Sequence, residues 1–307
     1  MYVSIIILNY NGSRFLRDLF ESLSNQTFKD FEVIFVDNKS TDNSLQLLNN
    51  LLSNERIKNL HIKIVRNATN LGYCQGNNAG IRYAEGRYIV FLNNDTYVSR
   101  SWLEELVRVM DNNPSIGACQ SRLIDMQTGK VQMDGRLLDI YGRSQSLVLN
   151  RNDLPISIAP FYVSGASIIV KTPALLRIKG FDPELFSGDH DLCWRLGLLG
   201  YDLAVALHSI CYHYGGAATK MLVSSVKSVC NHDKEILRVL LKNYSMRNVL
   251  KRTPLSVIIM LVEATYLSFK YKNPLHLASF LQALKWNLRK LRDTFVARYQ
   301  VQNDRKI

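Results

Sequence analysis

The sequence predicts an α/β fold: a doubly wound, mainly parallel sheet followed by an extension of basic amphipathic helices. Short β-rich runs alternate with amphipathic stretches over the first 120 residues, which is the rhythm of βαβ units. Polar residues directly follow three of the apolar runs, as they do where parallel strands end at a ligand-binding crevice. Residues 219–307 combine helical periodicity with an excess of Lys and Arg.

The first elements alternate regularly from the N-terminus. The runs predicted to be strands are Val3–Leu8, Phe31–Val36, Ile62–Val65 and Tyr88–Leu92. The stretches with helical periodicity that follow them are Phe15–Leu23, Ser44–Leu52, Asn78–Ala84 and Trp102–Met110. Strands alternating with helices predict parallel pairing.

The pattern changes after residue 120. Residues 125–158 show no clear periodicity and are predicted to be a loop-rich connection. A β-rich run follows over Phe161–Val170, then a helix over about Asp189–Leu199 and a strand near Leu203–Leu207. We therefore expect one α/β domain over residues 1–218, with halves of about 1–120 and 121–218, and a helical extension over 219–307. Within the extension, residues 233–252 and 275–301 are predicted to be basic amphipathic helices.

The net charge of +12 arises entirely from that extension. Residues 1–218 contain 21 basic and 21 acidic residues, whereas residues 219–307 contain 17 basic and 5 acidic ones. Such a surface is suited to phosphate, either of nucleic acid or of anionic lipid. The apolar stretches Leu255–Leu267 and Leu275–Leu284 lie among the basic residues, which favours a membrane surface over nucleic acid. Pro254–Phe269 contains Glu263 and is predicted to be too short to span a bilayer.

Cysteine usage and the N-terminus both indicate an intracellular protein. The five cysteines are scattered without a C-x-x-C pair, which argues against a disulfide framework or a zinc site. The N-terminus begins with an apolar run and lacks a basic segment or cleavage site, so it is predicted to be a strand and not a signal peptide.

Candidate ligand-binding residues follow the strands. Asn9 and Asn11 come after the first strand, Asp37 closes the second, and Asn94 and Asp95 follow the fourth. A carboxylate such as Asp95 can hold a divalent cation beside a diphosphate, and Asp37 can accept hydrogen bonds from a nucleobase or ribose. The alternative is that these residues form turns and helix caps.

A glycine- and amide-rich segment follows the third strand. Asn70–Gly80 contains three glycines, among them Gly72, and several amides, among them Asn78. Its position ahead of a helix predicts a close approach of the backbone to a ligand. It is not the G-x-G-x-x-G fingerprint of dinucleotide-binding proteins.

Two carboxylates and a histidine complete the candidates. Asp189 and Asp191 lie in the first turn of the predicted helix, where one could act as a general base. Both could instead stabilise the helix dipole, with Asp191 paired to Arg195 four residues later. His213 precedes two glycines and is either a structural hydrogen bonder or a metal ligand.

In this order, these segments resemble the family 2 glycosyltransferases of the GT-A fold, and most closely the rhamnosyltransferase-like members. The resemblance covers roughly residues 3–218. It is carried by Val3–Gly12, Val36–Asp42, Asn70–Gly72, Leu92–Asp95, Gly165–Ala166, Gly180–Asp182, Asp189–Arg195 and His213.

The resemblance implies a role for each matching residue. Asp37 would contact the nucleotide base, Asn94 and Asp95 would end a DxD-type metal motif, Asp189 would be the catalytic base, and His213 would complete the metal site. The implied donor-binding residues are Asn9, Asn11, Asp37, Asn70, Gly72, Asn78 and Asn94. The implied acceptor-side residues are Gly165, Ala166, Asp191 and Trp194.

The implied activity is a metal-dependent, inverting glycosyl transfer with Mg²⁺ or Mn²⁺. The donor would be a nucleotide sugar, dTDP-rhamnose or a UDP- or dTDP-hexose, and the acceptor a glycan or polyprenyl-linked sugar of a surface polysaccharide. We expect a cytoplasmic enzyme, peripheral on the inner face of the cell membrane, with no role for nucleic acid; the resemblance leaves oligomerisation open.

Two positions depart from the family pattern: Asn93 stands where a first acidic residue is common, and Gly188 where a Glu is usual. They keep a catalytically inactive scaffold as one alternative. The other alternative is a sugar nucleotidyltransferase, which should carry a glycine-rich basic loop after the first strand; Asn9–Arg14 matches that poorly.

Overall fold

The computed structural model describes residues 1–55, 57–149, 156–215 and 226–306. The chain forms two compact units, one of Met1–Leu137 with Ser146–Gly215 and the other of Leu138–Gln145 with Gly216–Ile307. Residues 138–145, which the sequence analysis assigned to the first domain, thus belong to the second unit. The predicted boundary at residue 218 lies outside the described residues.

One large sheet organises the first unit. The strands, in chain order, are β1 (Val3–Asn9), β2 (Phe31–Asp37), β3 (His61–Arg66), β4 (Tyr88–Asn93), β5 (Thr96–Val98), β6 (Ile116–Asp125), β7 (Val131–Met133), β8 (Arg136–Leu138), β9 (Ser144–Ser146), β10 (Ser157–Ile158), β11 (Ser167–Lys171) and β12 (Asp202–His213). The sheet order is β10-β12-β6-β11-β4-β1-β2-β3, with β5 on β12 and β7 on β6, while β8 and β9 pair separately.

The sheet is mainly parallel, as predicted. β1 lies between β2 and β4 and is parallel to both, and β3 is parallel to β2. β11 runs antiparallel between β4 and β6, so β6 regains the direction of β4, and β12 runs parallel to β6. The register pairs Asn9 with Asp37 and Leu8 with Asn93. The ends of β1, β2 and β4 therefore meet at one edge of the sheet.

Helices cover both faces of this sheet, which explains its apolar strands. The helices of the first unit are α1 (Ser13–Ser24), α2 (Ser44–Leu52), α3 (Gly72–Ile81), α4 (Trp102–Asn112), α5 (Thr172–Arg177) and α6 (Asp189–Leu198). Ile5 and Ile7 of β1 share a buried cluster with Leu16 of α1 and Trp102 of α4, whereas Ile6 faces α3.

Two sequence predictions need correction. The helix expected over Asn78–Ala84 is α3, which begins earlier, at Gly72. The glycines at 76 and 80 therefore lie inside the helix, on the face that packs against the sheet. A Cβ at Gly76 would lie 2.5 Å from Leu8 Cδ1, and one at Gly80 2.7 Å from Ile6 Cγ2. These two glycines bring the helix close to the sheet; the predicted approach of the segment to a ligand stays a prediction.

The connection predicted to be loop-rich is partly ordered. Residues 125–158 include β7, β8, β9 and β10, each two or three residues long. Strands of this length carry too little periodicity to be recognised in sequence. β6, the ten-residue strand before them, has a nearly uninterrupted buried pattern.

The second unit is helical. Its described helices are α7 (Val226–Asn243), α8 (Met246–Lys270), α9 (Leu275–Arg289) and α10 (Leu291–Asp304). α9 packs against α7 and α8, and α10 packs against α7. Buried Arg298 of α10 donates to the carbonyls of Leu241 and Tyr244 at 2.8 and 2.6 Å, so it satisfies acceptors at the end of α7.

The sequence divided this region differently. It predicted helices over 233–252 and 275–301 with an apolar segment between them, but α8 includes both that segment and Pro254. Proline lacks an N–H and so removes one bond of the helix without ending it here. In the described part of the chain, α8 alone is long and apolar enough to cross a membrane; one such helix is weak evidence of a span.

Candidate active site at the carboxyl ends of the strands

A chain of hydrogen bonds joins the ends of β1, β2 and β4. The Asn94 side-chain amide donates to Asn9 Oδ1 at 2.7 Å, and Asn9 Nδ2 donates to Ser40 Oγ at 3.1 Å. The Ser40 backbone N–H donates to the Asp37 carboxylate at 3.3 and 3.4 Å. Asn9 is fully buried, so its amide holds Asp37 and the Asn94–Asp95 corner in a defined arrangement.

Asn11 organises the loop after β2. Its backbone is in the left-handed region with φ +52°, which asparagine tolerates better than most residues. Its N–H donates to Ser40 Oγ at 3.0 Å, and its Oδ1 accepts from the Thr41 N–H at 2.7 Å. Asn11 thereby joins the end of β1 to the loop that carries Ser40.

Asn38 holds the start of α3 to the sheet. Its amide donates to Asn70 Oδ1 at 2.8 Å and to the Gly72 carbonyl at 3.2 Å, and it accepts from the Leu71 N–H at 3.0 Å. Asn70 Oδ1 also accepts from the Gly72 N–H. Asn70 and Gly72 therefore form the loop beside Asp37, and Asn38 is the buried residue that positions it.

Asp95 and His213 form the second part of the site. His213 Nε2 lies 3.2 Å from Asp95 Oδ1, with side-chain exposures of 14% and 15%, and 3.4 Å from Asn93 Nδ2. On the other side of the ring, Nδ1 lies 3.0 Å from Gln132 Oε1. If Nδ1–H donates to that oxygen, Nε2 carries the lone pair and faces Asp95.

This pair fits a divalent cation. Two adjacent ligands of an octahedral ion at about 2.1 Å are about 3 Å apart, close to the separation of Nε2 and Oδ1. A metal-bound histidine usually donates its other N–H to an oxygen acceptor, which is the position of Gln132. No group of three or more His, Cys, Asp and Glu that could hold a metal occurs in the described residues, so other ligands would come from water or substrate.

Asp189 lies at the start of α6 against the segment before β11. Its Oδ2 accepts from the Gly165 N–H at 2.9 Å, and the Tyr73 hydroxyl donates to the Gly165 carbonyl at 3.1 Å. Burial, together with the charge of Asp189, raises the pKa of Tyr73 well above its usual value. The hydroxyl therefore stays protonated and remains a donor.

The segment at Gly165 and Ala166 connects this carboxylate to the Asp95–His213 pair. The Ala166 carbonyl accepts from the Asn93 N–H at 3.0 Å, and Asn93 contacts His213. Gly165, one residue earlier, contacts Asp189. Two consecutive residues thus link Asp189 to the strand end that carries Asp95.

Gly188 precedes Asp189 with φ +68°, a conformation that other L-residues adopt only with strain. A Cβ there would lie 2.7 Å from Cys74 Sγ and 3.2 Å from Phe181 Cδ1. In this backbone conformation and packing, a side chain such as the Glu implied by the resemblance would therefore be strained.

The structure corrects the acceptor-side assignment of Asp191. This carboxylate is completely buried, and its Oδ2 lies 2.8 Å from Arg195 Nε and 2.7 Å from Arg195 Nη2. Arg195 also donates to the carbonyls of Ile178 and Gly180. Asp191 thus belongs to the ion pair that the sequence allowed as the alternative, and it anchors α6 from inside.

Asn78 and Trp194 lie apart from these contacts. The Asn78 side chain forms two hydrogen bonds with the backbone of Phe181, donating at 2.8 Å and accepting at 2.9 Å. These bonds give Asn78 a structural role in holding the segment at Phe181. Trp194 is half-buried and lies edge-on to Phe161, with ring centroids 5.7 Å apart. Phe161 is 40% exposed, so this aromatic pair reaches the surface.

Sequence analysis missed three residues of the site. Ser40 lies within the segment Val36–Asp42 without having been singled out, Gln132 lies on a three-residue strand in the segment predicted to be a loop, and Tyr73 lies in the glycine-rich segment. Local sequence offers no signal for Gln132 or Tyr73, because their partners are 81 and 92 residues away.

Comparison with known proteins identifies the family. Residues 4–164 match the model of glycosyl transferase family 2, which is more than half of the chain. The chain belongs to glycosyl transferase family 2. The family match ends before Gly165, Asp189 and His213 and does not bear on those residues.

Relatives of this family 2 member include bacterial glycosyltransferases. An uncharacterized glycosyltransferase of Haemophilus influenzae is 31% identical over 121 residues, 39% of this chain and 36% of that protein. The amylovoran biosynthesis glycosyltransferase AmsB of Erwinia amylovora is 27% identical over 217 residues, 68% of this chain and 69% of that protein. The match thus spans well under half of the first relative and about two thirds of the second.

Solved structures show the GT-A fold. S. aureus TarS, residues 1–349 in complex with UDP, superposes with a TM-score of 0.59 at 20% identity, covering 99% of this chain and 90% of that one. GalNAc-T7 with UDP, GalNAc and Mn²⁺ superposes with a TM-score of 0.66 at 14% identity, covering 94% of this chain and 57% of that one.

Proposed function

We propose that this family 2 member is a metal-dependent, inverting glycosyltransferase that moves a sugar from a nucleotide-sugar donor to a glycan or lipid-linked sugar acceptor. The observation that carries the proposal is the link between two chemically distinct groups. The Asp95–His213 pair and the Asp189 carboxylate are connected through Asn93, Ala166 and Gly165.

In the proposed reaction, Asp189 accepts the proton of an acceptor hydroxyl as that oxygen attacks the anomeric carbon of the donor sugar. The bond from the anomeric carbon to the diphosphate breaks, and its electron pair leaves with the nucleoside diphosphate. One displacement inverts the anomeric configuration. Asp95 and His213 would hold Mg²⁺ or Mn²⁺, which offsets the charge of the departing diphosphate.

The identity of the donor is a narrower proposal. We propose a UDP- or dTDP-linked hexose or deoxyhexose, with dTDP-rhamnose as one candidate, and Asp37 as the contact to the base. UDP in the TarS structure and UDP with Mn²⁺ in the GalNAc-T7 structure support a uridine-type nucleotide. The amylovoran biosynthesis role of AmsB supports an acceptor in surface polysaccharide synthesis.

We also propose that the enzyme works at the cytoplasmic face of the cell membrane, attached peripherally. The support is the 17 basic against 5 acidic residues of the C-terminal region, since anionic lipid attracts basic segments at about 1 kcal/mol per Lys or Arg near the surface. Such a location would suit a polyprenyl-linked acceptor.

A panel of nucleotide sugars, tested for thermal stabilisation with and without Mn²⁺, examines the donor and metal proposals together. A donor at 100 times its Kd stabilises the folded protein by about 2.7 kcal/mol. We expect one donor class to raise Tm with Mn²⁺ present and little without it. Stabilisation by no nucleotide sugar would contradict the proposal, and donor binding without turnover on any glycan would indicate an inactive scaffold.

The same assay tests the metal site. Asp95→Ala removes the carboxylate of the pair while leaving the sheet intact, so we expect Mn²⁺-dependent donor binding to disappear in calorimetry. Asp202→Ala, at the exposed end of β12 opposite His213, is the control and should retain that binding. Unchanged donor affinity of Asp95→Ala in Mn²⁺ would contradict the assignment.

A further inference from the structure

The outer face of α8 departs from the pattern of soluble proteins. Its inner face is buried in the second unit through Val249, Thr253, Ser256, Met260 and Ala264, which recur every three or four residues as one side of a helix. A surface helix packed in this way normally turns polar residues to solvent. α8 turns apolar residues outward instead.

Seven large apolar side chains form this outer face. They are Leu250 (72% exposed), Leu255 (41%), Ile258 (54%), Leu261 (41%), Val262 (63%), Tyr266 (56%) and Phe269 (80%). At 1.5 Å per residue, the stripe from the first to the last is about 28 Å long. A contiguous exposed apolar surface of this length marks an interaction site.

Charge is arranged around this face and not within it. Exposed Arg247 and Lys251 lie at its N-terminal end, and exposed Lys270 and Lys272 at or just beyond its C-terminal end. The one acidic residue of α8, Glu263, is also exposed, but it lines a small pocket of the second unit with Ser256 and Met260, at the border between the outer face and the buried side. The outer face is therefore apolar in the middle and basic at both ends.

This distribution selects a membrane surface over a protein partner. Apolar residues flanked by Lys and Arg match the layers of a bilayer: the apolar residues contact the acyl chains, and the Lys and Arg residues contact the anionic headgroups. A second copy of this chain would bring the same cations against one another. The five acidic residues of residues 219–307 against 17 basic ones offer few partners for them.

The packing of α8 also decides its orientation. One side of α8 packs against neighbouring helices, and α7 carries buried charged residues, among them Asp233 and Arg238. If α8 crossed a bilayer, it would either take the charged residues of α7 into the hydrocarbon or lose its packing against α7. Burying such charges in hydrocarbon costs several kcal/mol. Only the outer face is available to lipid.

We propose that the outer face of α8 is a membrane-docking surface that lies in the plane of an anionic bilayer, with its apolar residues inserted at the level of the headgroups. The proposal rests on the membrane location proposed above and names the surface responsible for it. Catalysis at Asp189 and Asp95 involves a different unit, so the two functions can be tested separately.

Vesicle sedimentation tests the surface. The full chain should bind vesicles of phosphatidylcholine with about one-third phosphatidylglycerol, and the triple variant Ile258→Ser, Val262→Ser, Phe269→Ser should bind at least about tenfold more weakly. The control Tyr83→Ser, Leu176→Ser replaces residues that are 50% and 57% exposed in the first unit and should bind normally. Equal binding of the triple variant would overturn the proposal, and a full chain that ignores these vesicles would overturn the membrane location as well.

Measuring donor binding distinguishes a failure of the membrane-docking proposal from a failure of the proposed enzymatic function. The triple variant should keep its melting temperature and its Mn²⁺-dependent donor binding, since its substitutions are all on the exposed face. In sedimentation velocity without lipid, the triple variant should have the same mass as the full chain. A drop in mass with unchanged vesicle binding would assign the face to self-association and overturn the proposal.

Cysteine labelling tests the orientation. The five natural cysteines are all buried, so a new thiol in Lys251→Cys or Lys270→Cys should react first with a membrane-impermeant maleimide. An in-plane helix leaves both positions accessible from outside the vesicle. Protection of one position until the vesicles are permeabilised would indicate a spanning helix and overturn the in-plane orientation.

Discussion

At the scale of single residues, two carboxylates separated by one residue differ sharply in environment. Asp189 is partly exposed and accepts the backbone N–H of Gly165 beside Tyr73, whereas Asp191 is completely buried against Arg195. A proton acceptor has to be reachable by the acceptor hydroxyl, while a buried paired carboxylate serves packing. Their substitutions should therefore fail in different ways.

Asp189→Asn keeps a hydrogen-bond acceptor for Gly165 but cannot take a proton. We expect turnover to fall by about 10²–10⁴-fold, the usual contribution of a general base, with donor affinity and melting temperature nearly unchanged. Steady-state kinetics and calorimetry measure the two effects. Full turnover in Asp189→Asn would remove the residue from the proposed mechanism.

Asp191→Asn leaves Arg195 without its buried counter-charge. Breaking one partner of a buried ion pair costs about 3–5 kcal/mol, so we expect this variant to lose stability in denaturant titration. Asp202→Asn, at an exposed position of β12, is the control and should be neutral. A stable Asp191→Asn with strongly reduced turnover would show that the catalytic role belongs to Asp191.

Gln132 orients His213 from a strand that local sequence did not reveal. Gln132→Ala removes the acceptor of the imidazole N–H, and outer-shell partners of this kind contribute about 10–100-fold to metal affinity. We expect that loss in Mn²⁺ titrations that use donor binding as the readout. Gln127→Ala, an exposed glutamine nearby, should retain wild-type affinity, and equal behaviour of both variants would leave Gln132 outside the metal site.

At the scale of elements, α3 and β1 show how glycine sets the distance between helix and sheet. Gly80 allows the helix to approach Ile6 and Val36, whose methyl groups lie 2.7 and 3.0 Å from the position of a Cβ. That approach brings the start of α3, with Asn70 and Gly72, beside the end of β2. Gly80, which packs against the sheet, thus also determines where the loop near Asp37 lies.

Gly80→Ala should destabilise the first unit by about 1–3 kcal/mol, the usual cost of overpacking a core. Gly197→Ala in α6 is the matched control, since nothing lies within 4 Å of a Cβ there; it should stabilise by up to about 1 kcal/mol through helix propensity. Chemical denaturation measures both. Stabilisation by Gly80→Ala would show that the helix can move away from the sheet without cost.

At the scale of the whole molecule, chemistry and charge are divided between the two units. The hydrogen-bonded site belongs to the first unit, in which basic and acidic residues balance, and the basic excess belongs to the second. The proposed attachment through α8 would combine an apolar contribution with an electrostatic one. These two contributions respond differently to salt.

Raising the salt concentration from about 0.1 M to 1 M shortens the Debye length from about 10 Å to 3 Å and screens the basic residues. We expect partial release of the full chain from anionic vesicles, because insertion of the apolar face does not depend on screening. Sedimentation at both salt concentrations measures it. Complete release would mean that charge alone holds the protein on the vesicle.

The sequence by itself determined the family, the βαβ rhythm of the first 120 residues and the positions of Asn9, Asp37, Asn94 and Asp95 at strand ends, because periodicity and strand termini are local properties. Tertiary structure alone decided that Gln132 supports His213 and that Tyr73 contacts Gly165, across 81 and 92 residues. It also decided that Asp191 is buried, and that the apolar face of α8 points outward. Burial and contact depend on which distant segments pack together, and no window of neighbouring residues contains that information.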